Sequence, residues 1–292
     1  MSLLHSVLLG FLQGITEFLP VSSSGHLAII QNIFNMKSDI GILFDTMLHL
    51  GTLVAVCIVY WDNFSKLVIA TLQLIGDCFA NLRTLFSNRG QEEKEPYRRL
   101  INNAYKKFVV LILVTTIPTG IIGLLLEPLV KRADNSLLIP GICLVITAII
   151  LLISDSAVPG RKKVKRTSYR DAALVGAAQG VAVMPGISRS GATITACLML
   201  GFDRSFAVKY SFLVSIPAII GANILELRHL DTSLVTGSMV ANCFAGMIVA
   251  GIVGYICLKA LIYLVKSNKF SYFAYYCAVV GIISILFYFI KG

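Results

Sequence analysis

Charged residues are scarce in this sequence. Only 14% of its 292 residues are Asp, Glu, Lys or Arg, while 57% are hydrophobic and the mean hydropathy is +0.82. Soluble domains carry roughly 25% charged residues, so a large soluble domain is excluded and the chain reads as a polytopic membrane protein. A spanning helix needs ~20 mostly apolar residues, which allows at most about ten spans with short loops. Acidic residues are the scarcer sign, 15 against 25 Lys plus Arg, for a net charge of +10. No motif for base readout accompanies that excess, so no nucleic-acid partner is expected. The positive charge belongs instead to cytoplasmic loops beside anionic lipid headgroups. The seven cysteines (57, 78, 143, 197, 243, 257, 277) form no C-x-x-C pair, and all but Cys78 lie in apolar runs. Buried thiols are expected rather than disulfides or zinc ligands. Met-Ser-Leu-Leu-His lacks a basic n-region, so no cleaved signal peptide is expected and the mature chain should start at or near Met1.

Six stretches are long and apolar enough to cross: 40–60, 108–126, 137–155, 206–226, 238–265 and 273–290. Two others are interrupted. Residues 3–35 are broken by Glu17, Pro20 and Ser22-Ser23-Ser24-Gly25-His26; residues 172–201 are broken by Pro185-Gly186 and Ser188-Arg189-Ser190-Gly191. The arms after the breaks, Gly25 to Asn35 and Gly191 to Gly201, would each reach about 16 Å, half of a ~30 Å hydrocarbon core. Both stretches read as re-entrant helical hairpins whose tips meet a polar cavity, because non-helical backbone at membrane depth must be buried in protein or line water. They also match each other at an offset of 166: Gly10, Gln13, Gly14, Ser22, Ser24 and Gly25 recur as Gly176, Gln179, Gly180, Ser188, Ser190 and Gly191. Three spans follow each hairpin, an odd number, so the hairpins enter from opposite faces. The expected fold is all-α: one membrane domain over 1–292, with six transmembrane helices and two opposed re-entrant hairpins. It forms an inverted-topology repeat of about 1–155 and 172–292, with the ligand site near mid-membrane.

Residues 61–107 carry eight Lys/Arg and 157–171 carry six, and Lys266 and Lys269 follow the fifth span. Six spans put all three loops on one side, which should be cytoplasmic, with both termini outside. The opposite loops hold only Lys37, Lys131, Arg132 and Arg228. Residues 64–82 are apolar but contain Lys66, Gln73 and Asp77, and are expected to form an amphipathic surface helix rather than a span.

Ionisable groups inside apolar hairpins cost ~2.5–3.5 kcal/mol even on lenient insertion scales and mark candidate sites. Glu17 follows Gln13 by four residues, so both oxygens project from one helix face. That geometry suits a hard divalent cation, Mg²⁺ or Ca²⁺; the competing reading is a Glu17–Arg189 pair that only ties the hairpins together. Arg189, among Ser188, Ser190 and Thr193 at a helix start, offers an oxyanion cradle, against which stands a lipid-headgroup anchor. Ser22, Ser23, Ser24 and His26 could place a nucleophile and its general base or acid within one turn, although single serines in membrane helices more often serve packing. His49, one turn after Asp45, reads as a satisfied intramembrane histidine. The spacings Gly10-Gly14 and Gly176-Gly180 fit close helix packing. A carboxylate, a cation, hydroxyls and an arginine together favour phosphoryl chemistry.

The segments Gln13-Gly-Ile-Thr-Glu17-Phe-Leu-Pro-Val-Ser-Ser-Ser-Gly-His26 and Pro185-Gly-Ile-Ser-Arg-Ser-Gly-Ala-Thr193 resemble the two signature motifs of the undecaprenyl-diphosphate phosphatases, the bacitracin-resistance membrane phosphatases. The resemblance runs over essentially the whole chain. It implies a multi-pass enzyme of the bacterial plasma membrane whose site opens to the extracytoplasmic side. Such an enzyme removes the terminal phosphate of an isoprenoid diphosphate lipid and recycles the carrier for cell-wall synthesis with a divalent metal. Carried across, Glu17 and Gln13 become the metal or acid/base pair, Ser23 and His26 catalytic, and Ser188, Arg189, Ser190 and Thr193 substrate-binding. Many relatives have Glu where this chain has Gln13; an amide can ligate a metal but cannot accept a proton, which puts a two-carboxylate mechanism in doubt. The residues leave open whether Ser23 or a metal-activated water attacks, and allow for a homodimer.

A second family of membrane lipid phosphatases shares a string like residues 20–26, but this chain has no Arg-Pro dipeptide and carries Thr195, not His, six positions after Arg189. A rival of another class is a transporter or flippase for a lipid phosphate, since opposed hairpins in inverted repeats are transporter architecture.

Overall fold

The computed structural model describes residues 2–34, 41–89, 94–158, 160–228, 230, 235–265 and 270–291. Asn35, Lys37, Lys266 and Lys269, used above, lie outside them. Among the described residues the chain is all-α, eleven α-helices with one short 3-10 turn and one isolated bridge between Lys162 and Phe202.

Polarity decides where each helix stops. The first hairpin is α1 (Leu3–Phe18) and α2 (Ser23–Ile33); the second is α7 (Tyr169–Val181) and α8 (Arg189–Met199). α2 and α8 each begin two residues before the expected arms. The cause is serine capping: the Ser22 hydroxyl accepts the Gly25 N–H at 3.3 Å, and the Ser188 hydroxyl accepts the Gly191 N–H at 3.1 Å. These capping pairs are the 166-offset matches, so much of the internal likeness is two copies of one helix start.

The expected spans are α3 (Gly41–Val59), α5 (Ala104–Ala133), α6 (Leu138–Ser156), α9 (Arg204–Leu227), α10 (Gly237–Leu264) and α11 (Ser271–Lys291). The last five are each long and apolar enough to cross alone. α3 passes that test together with α4 (Trp61–Ser87), from which it is bent by 94°. Its 19 residues reach about 28 Å, enough for the hydrocarbon core. α4 turns off the end of α3 at that bend and is amphipathic: Val68, Leu72, Ile75 and Phe79 are exposed along one face, while Asp77 on the other face pairs with Lys106 of α5.

Each hairpin packs on a span from the other half of the chain. A Cβ on Gly10 would run into the Gly246 carbonyl of α10, and one on Gly176 into the Thr115 carbonyl of α5. α5 then hydrogen-bonds across, Thr115 to the Ala172 carbonyl at 3.1 Å and Thr119 to the Gly176 carbonyl at 2.9 Å. Gly10→Ala is expected to lower stability by ~1–3 kcal/mol, read as a lower melting temperature in detergent.

The hairpins open toward opposite ends of the bundle. Both ends of the second meet Lys162, through Asp171 at 3.1 Å and through the Lys162–Phe202 bridge. The end of the first reaches the other face, where Asn32 bonds the Asp134 carbonyl of the α5–α6 connection at 2.9 Å. Their turns meet in the middle: the Gly186 N–H donates to Ser22 Oγ at 3.1 Å, and Gly25 and Gly186 approach so closely that a Cβ on Gly25 would lie 2.6 Å from Gly186 Cα. All seven cysteines are free, and Cys78 is the exposed one.

Candidate active site

Where the two turns meet, helix geometry and a strained residue place the chemistry. Among the described residues Ser22 is the one non-glycine residue with positive φ, 69°, a conformation that costs of order 1–3 kcal/mol. It folds α2 back so that Ser23 faces Glu17 at the end of α1. Ser23 Oγ donates to Glu17 Oε2 at 2.5 Å, and Gln13 Nε2 donates to the same oxygen at 3.0 Å. The other carboxylate oxygen, Oε1, accepts from Nη2 of Arg189 in the first turn of α8. His49 Nε2 of α3 lies 4.0 Å from Glu17 Oε2. Glu17 is buried, so its charge is balanced by one guanidinium and shaped by three further neighbours.

Within this centre two groups are left with unused capacity among the described residues. Arg189 Nη1 and Gln13 Oε1 are both buried without a hydrogen-bond partner. The first turns of α2 and α8 also bring two helix N-termini to one point, and their partial positive charge favours an anion.

His26 does not join Ser23, although one turn separates them. Its Nδ1 contacts the Ser22 carbonyl at 2.8 Å and its Nε2 contacts the Tyr276 hydroxyl of α11 at 2.9 Å. A carbonyl only accepts, so Nδ1 carries the proton and Nε2 takes that of Tyr276. The expected serine–histidine pair is thus replaced by serine–carboxylate, because the turn aims Ser23 across the hairpin. The serines and threonine near Arg189 are also engaged. Ser188 Oγ caps α8 and sits 3.3 Å from Ser190 Oγ, while Thr193 bonds the Arg189 carbonyl at 2.8 Å and Ser211 of α9 at 2.5 Å. Thr147 of α6 braces the second turn, accepting the Ser188 N–H at 2.9 Å and donating to the Gly186 carbonyl at 2.8 Å. Tyr276, Thr147 and Ser211 carried no motif; they reach the centre only through packing of distant spans. His49 did carry a signal, its place one turn after Asp45: its Nδ1 is satisfied by the Asp45 carbonyl at 2.9 Å, while its Nε2 borders the centre at 4.0 Å from Glu17.

No group of three His, Cys, Asp or Glu side chains poised for a metal occurs among the described residues. The donors that could hold a divalent cation here are Gln13 Oε1 and Glu17, whose two oxygens already accept hydrogen bonds; such an ion would need a phosphate and water for its remaining ligands.

The fold defines an integral-membrane, all-α protein whose polar centre is assembled by two helical hairpins. Residues 6–283 match the family described as bacitracin resistance protein BacA, and the chain belongs to that family. Relatives that it matches throughout are called undecaprenyl-diphosphatase. That of Desulforapulum autotrophicum is 42% identical over 287 residues, 98% of each chain. That of Treponema denticola is 41% identical over 293 residues, covering all of both chains, and that of Methanosphaera stadtmanae is 38% identical over 287 residues, 98% of each.

Proposed function

We propose that the reaction takes place where the hairpin turns meet, with Glu17 as base, Ser23 as nucleophile and Arg189 as the clamp on the diphosphate. The chain is an undecaprenyl-diphosphatase, a membrane phosphatase that releases inorganic phosphate from undecaprenyl diphosphate and returns undecaprenyl phosphate to peptidoglycan synthesis, which is the basis of bacitracin resistance. The observation that carries the site reading is the unbroken contact Ser23–Glu17–Arg189, with one guanidinium nitrogen still free.

In that reading Ser23 Oγ attacks the terminal phosphorus and its proton passes to Glu17 Oε2, while undecaprenyl phosphate leaves. Arg189 Nη1 and the N-termini of α2 and α8 hold the phosphate oxygens. Hydrolysis of the phosphoserine then returns the proton from Glu17 to Ser23 Oγ, and the proton of the attacking water leaves with the phosphate or through His26 once Tyr276 releases its Nε2. Ser188, Ser190 and Thr193 act by fixing the first turn of α8 around Arg189. A divalent ion, when bound by Gln13 and Glu17, supplies further positive charge against the phosphates. With a single carboxylate at this position, Gln13 and Glu17 would hold such an ion only together with the substrate, so chelation should abolish phosphate release by the purified protein in detergent and added Mg²⁺ or Ca²⁺ restore it. Full activity after exhaustive chelation would remove the metal from the mechanism. Phosphate release in detergent, where no second compartment exists, is also the test against a pure transporter, whose only support was the architecture.

The likeness of the two halves, about 1–155 and 172–292, supports a duplicated and inverted unit. The basic loops support a cytoplasmic face at the ends of α3, α6, α8 and α10, and hence an extracytoplasmic opening. Phe18, Phe212 and Tyr60 fit that direction too, since their rings pack at 5.6 and 6.5 Å in the region between the tip of the first hairpin and the basic end of α3. In a cysteine-free background, single cysteines at Lys94 and Lys163 should label only from the cytoplasm and one at Asn135 only from outside. Labelling of Lys94 and Lys163 from opposite faces would refute the inverted arrangement. Each proposed group comes from one chain, so the site needs no second copy even if a homodimer forms.

A further inference from the structure

A cavity of about 790 Å³ lies at the basic end of the bundle, away from the hairpin turns, between the start of α5, the α6–α7 connection and the start of α9. Five cations line it, Arg161, Lys163, Lys165, Arg166 and Lys209, against one carboxylate, Asp203. That carboxylate is engaged, capping α9 by accepting the Phe206 N–H at 3.0 Å. None of the five cations forms an ion pair among the described residues. Lys209 contacts the neutral Asn63 oxygen at 3.4 Å. Next to Asp203 in sequence, Arg204 has all three guanidinium nitrogens buried and without a hydrogen-bond partner among the described residues.

Like charges gathered in one cavity repel, and the repulsion is relieved by an anion. The wall that carries them is pinned. Lys162 N–H bonds the Gly201 carbonyl at 3.1 Å, Asp203 N–H bonds the Lys162 carbonyl at 2.9 Å, and Lys107 Nζ holds the Lys165 carbonyl at 2.7 Å. Aromatic side chains, Tyr105, Phe108 and Phe206, also line it, and α4, which presents an exposed apolar face, starts beside the cavity with Asn63 in its first turn. The ligand therefore needs a phosphate charge and an apolar stem, at the height of the headgroups.

We propose that this cavity is a binding site for the headgroup of an anionic phospholipid of the cytoplasmic leaflet. Basic pockets between membrane helices on that side suit phosphate headgroups, and the aromatic wall gives the glycerol and first methylenes a contact that free phosphate cannot use. The inference does not rest on the catalytic reading, since no residue of the hairpin turns lines the cavity.

The test is calorimetric titration of the purified full-length protein in neutral detergent with dioctanoyl phosphatidylglycerol, a phosphate diester and so not a diphosphatase substrate. One saturable site is expected, weakened by added salt and at least tenfold weaker in Lys163→Gln/Arg166→Gln/Lys209→Gln, with turnover of undecaprenyl diphosphate unchanged. Dioctanoyl phosphatidylcholine should not saturate, and inorganic phosphate in tenfold excess should not displace the lipid. Displacement by inorganic phosphate would make this a free-phosphate site and overturn the proposal. So would equal binding of phosphatidylcholine, or unaltered affinity in the triple variant. If that variant does not fold, Lys163→Gln alone, at an exposed side chain, should weaken binding measurably, and unchanged affinity there overturns the proposal equally.

Discussion

Ser23→Ala is expected to fold like the parent protein and to release phosphate at least about 10³-fold more slowly, a loss of ~4 kcal/mol in transition-state stabilisation. The substitution removes one oxygen from a buried position in the first turn of α2 and leaves the cap intact, because Ser22 and not Ser23 accepts the Gly25 N–H. The cost to stability is then that of one hydrogen bond to a charged group, ~1.5–3 kcal/mol. The cost to activity is far larger if Ser23 Oγ attacks, since its 2.5 Å bond to Glu17 is the route by which its proton leaves. Turnover and melting temperature measured on the same preparation separate the two. A stable variant with near-normal turnover would instead make Glu17 the base for a water, with Ser23 only orienting the carboxylate. Both results keep Glu17 central, and only the first keeps the serine as nucleophile.

The spans and the two interrupted stretches were legible because length and hydropathy are one-dimensional properties that the bilayer itself imposes. Helix starts were less so: α2 and α8 begin earlier than the breaks suggested, since Ser22 and Ser188 act as caps. Glu17, Ser23 and Arg189 could be singled out as polar groups in apolar surroundings. Their wiring could not: Ser23 and His26 do share the first turn of α2, but the positive φ at Ser22 turns that helix back so that the Ser23 hydroxyl meets Glu17, while His26 bonds the Ser22 carbonyl. Tyr276 and Thr147 lie in apolar runs like any other, and only the packing of α6 and α11 against the hairpins brings them to the centre. The competing readings of Arg189, structural partner or phosphate cradle, also proved inseparable by inspection, since one nitrogen does the first while another is free for the second.

That division of the guanidinium predicts a distinctive result at Arg189. Nη2 is bonded to Glu17 Oε1, and Nη1 is buried with no partner among the described residues. A lysine keeps the positive charge but has one compact ammonium in place of a planar fork, so it can neutralise Glu17 or reach a phosphate oxygen, and not both in the geometry of the fork. Arg189→Lys is therefore expected to melt near the parent temperature and to lose about 10²–10³-fold in turnover, the size of one lost oxyanion contact. Arg189→Ala removes both functions. It should be inactive and also less stable by ~3–5 kcal/mol, because Glu17 is left as an uncompensated buried charge. The deciding comparison is melting temperature in detergent beside phosphate release for both variants. An active Arg189→Lys with an unstable Arg189→Ala would reduce Arg189 to the strut between the hairpins. The phosphate would then have to be held by the N-termini of α2 and α8, with whatever cation Gln13 and Glu17 retain.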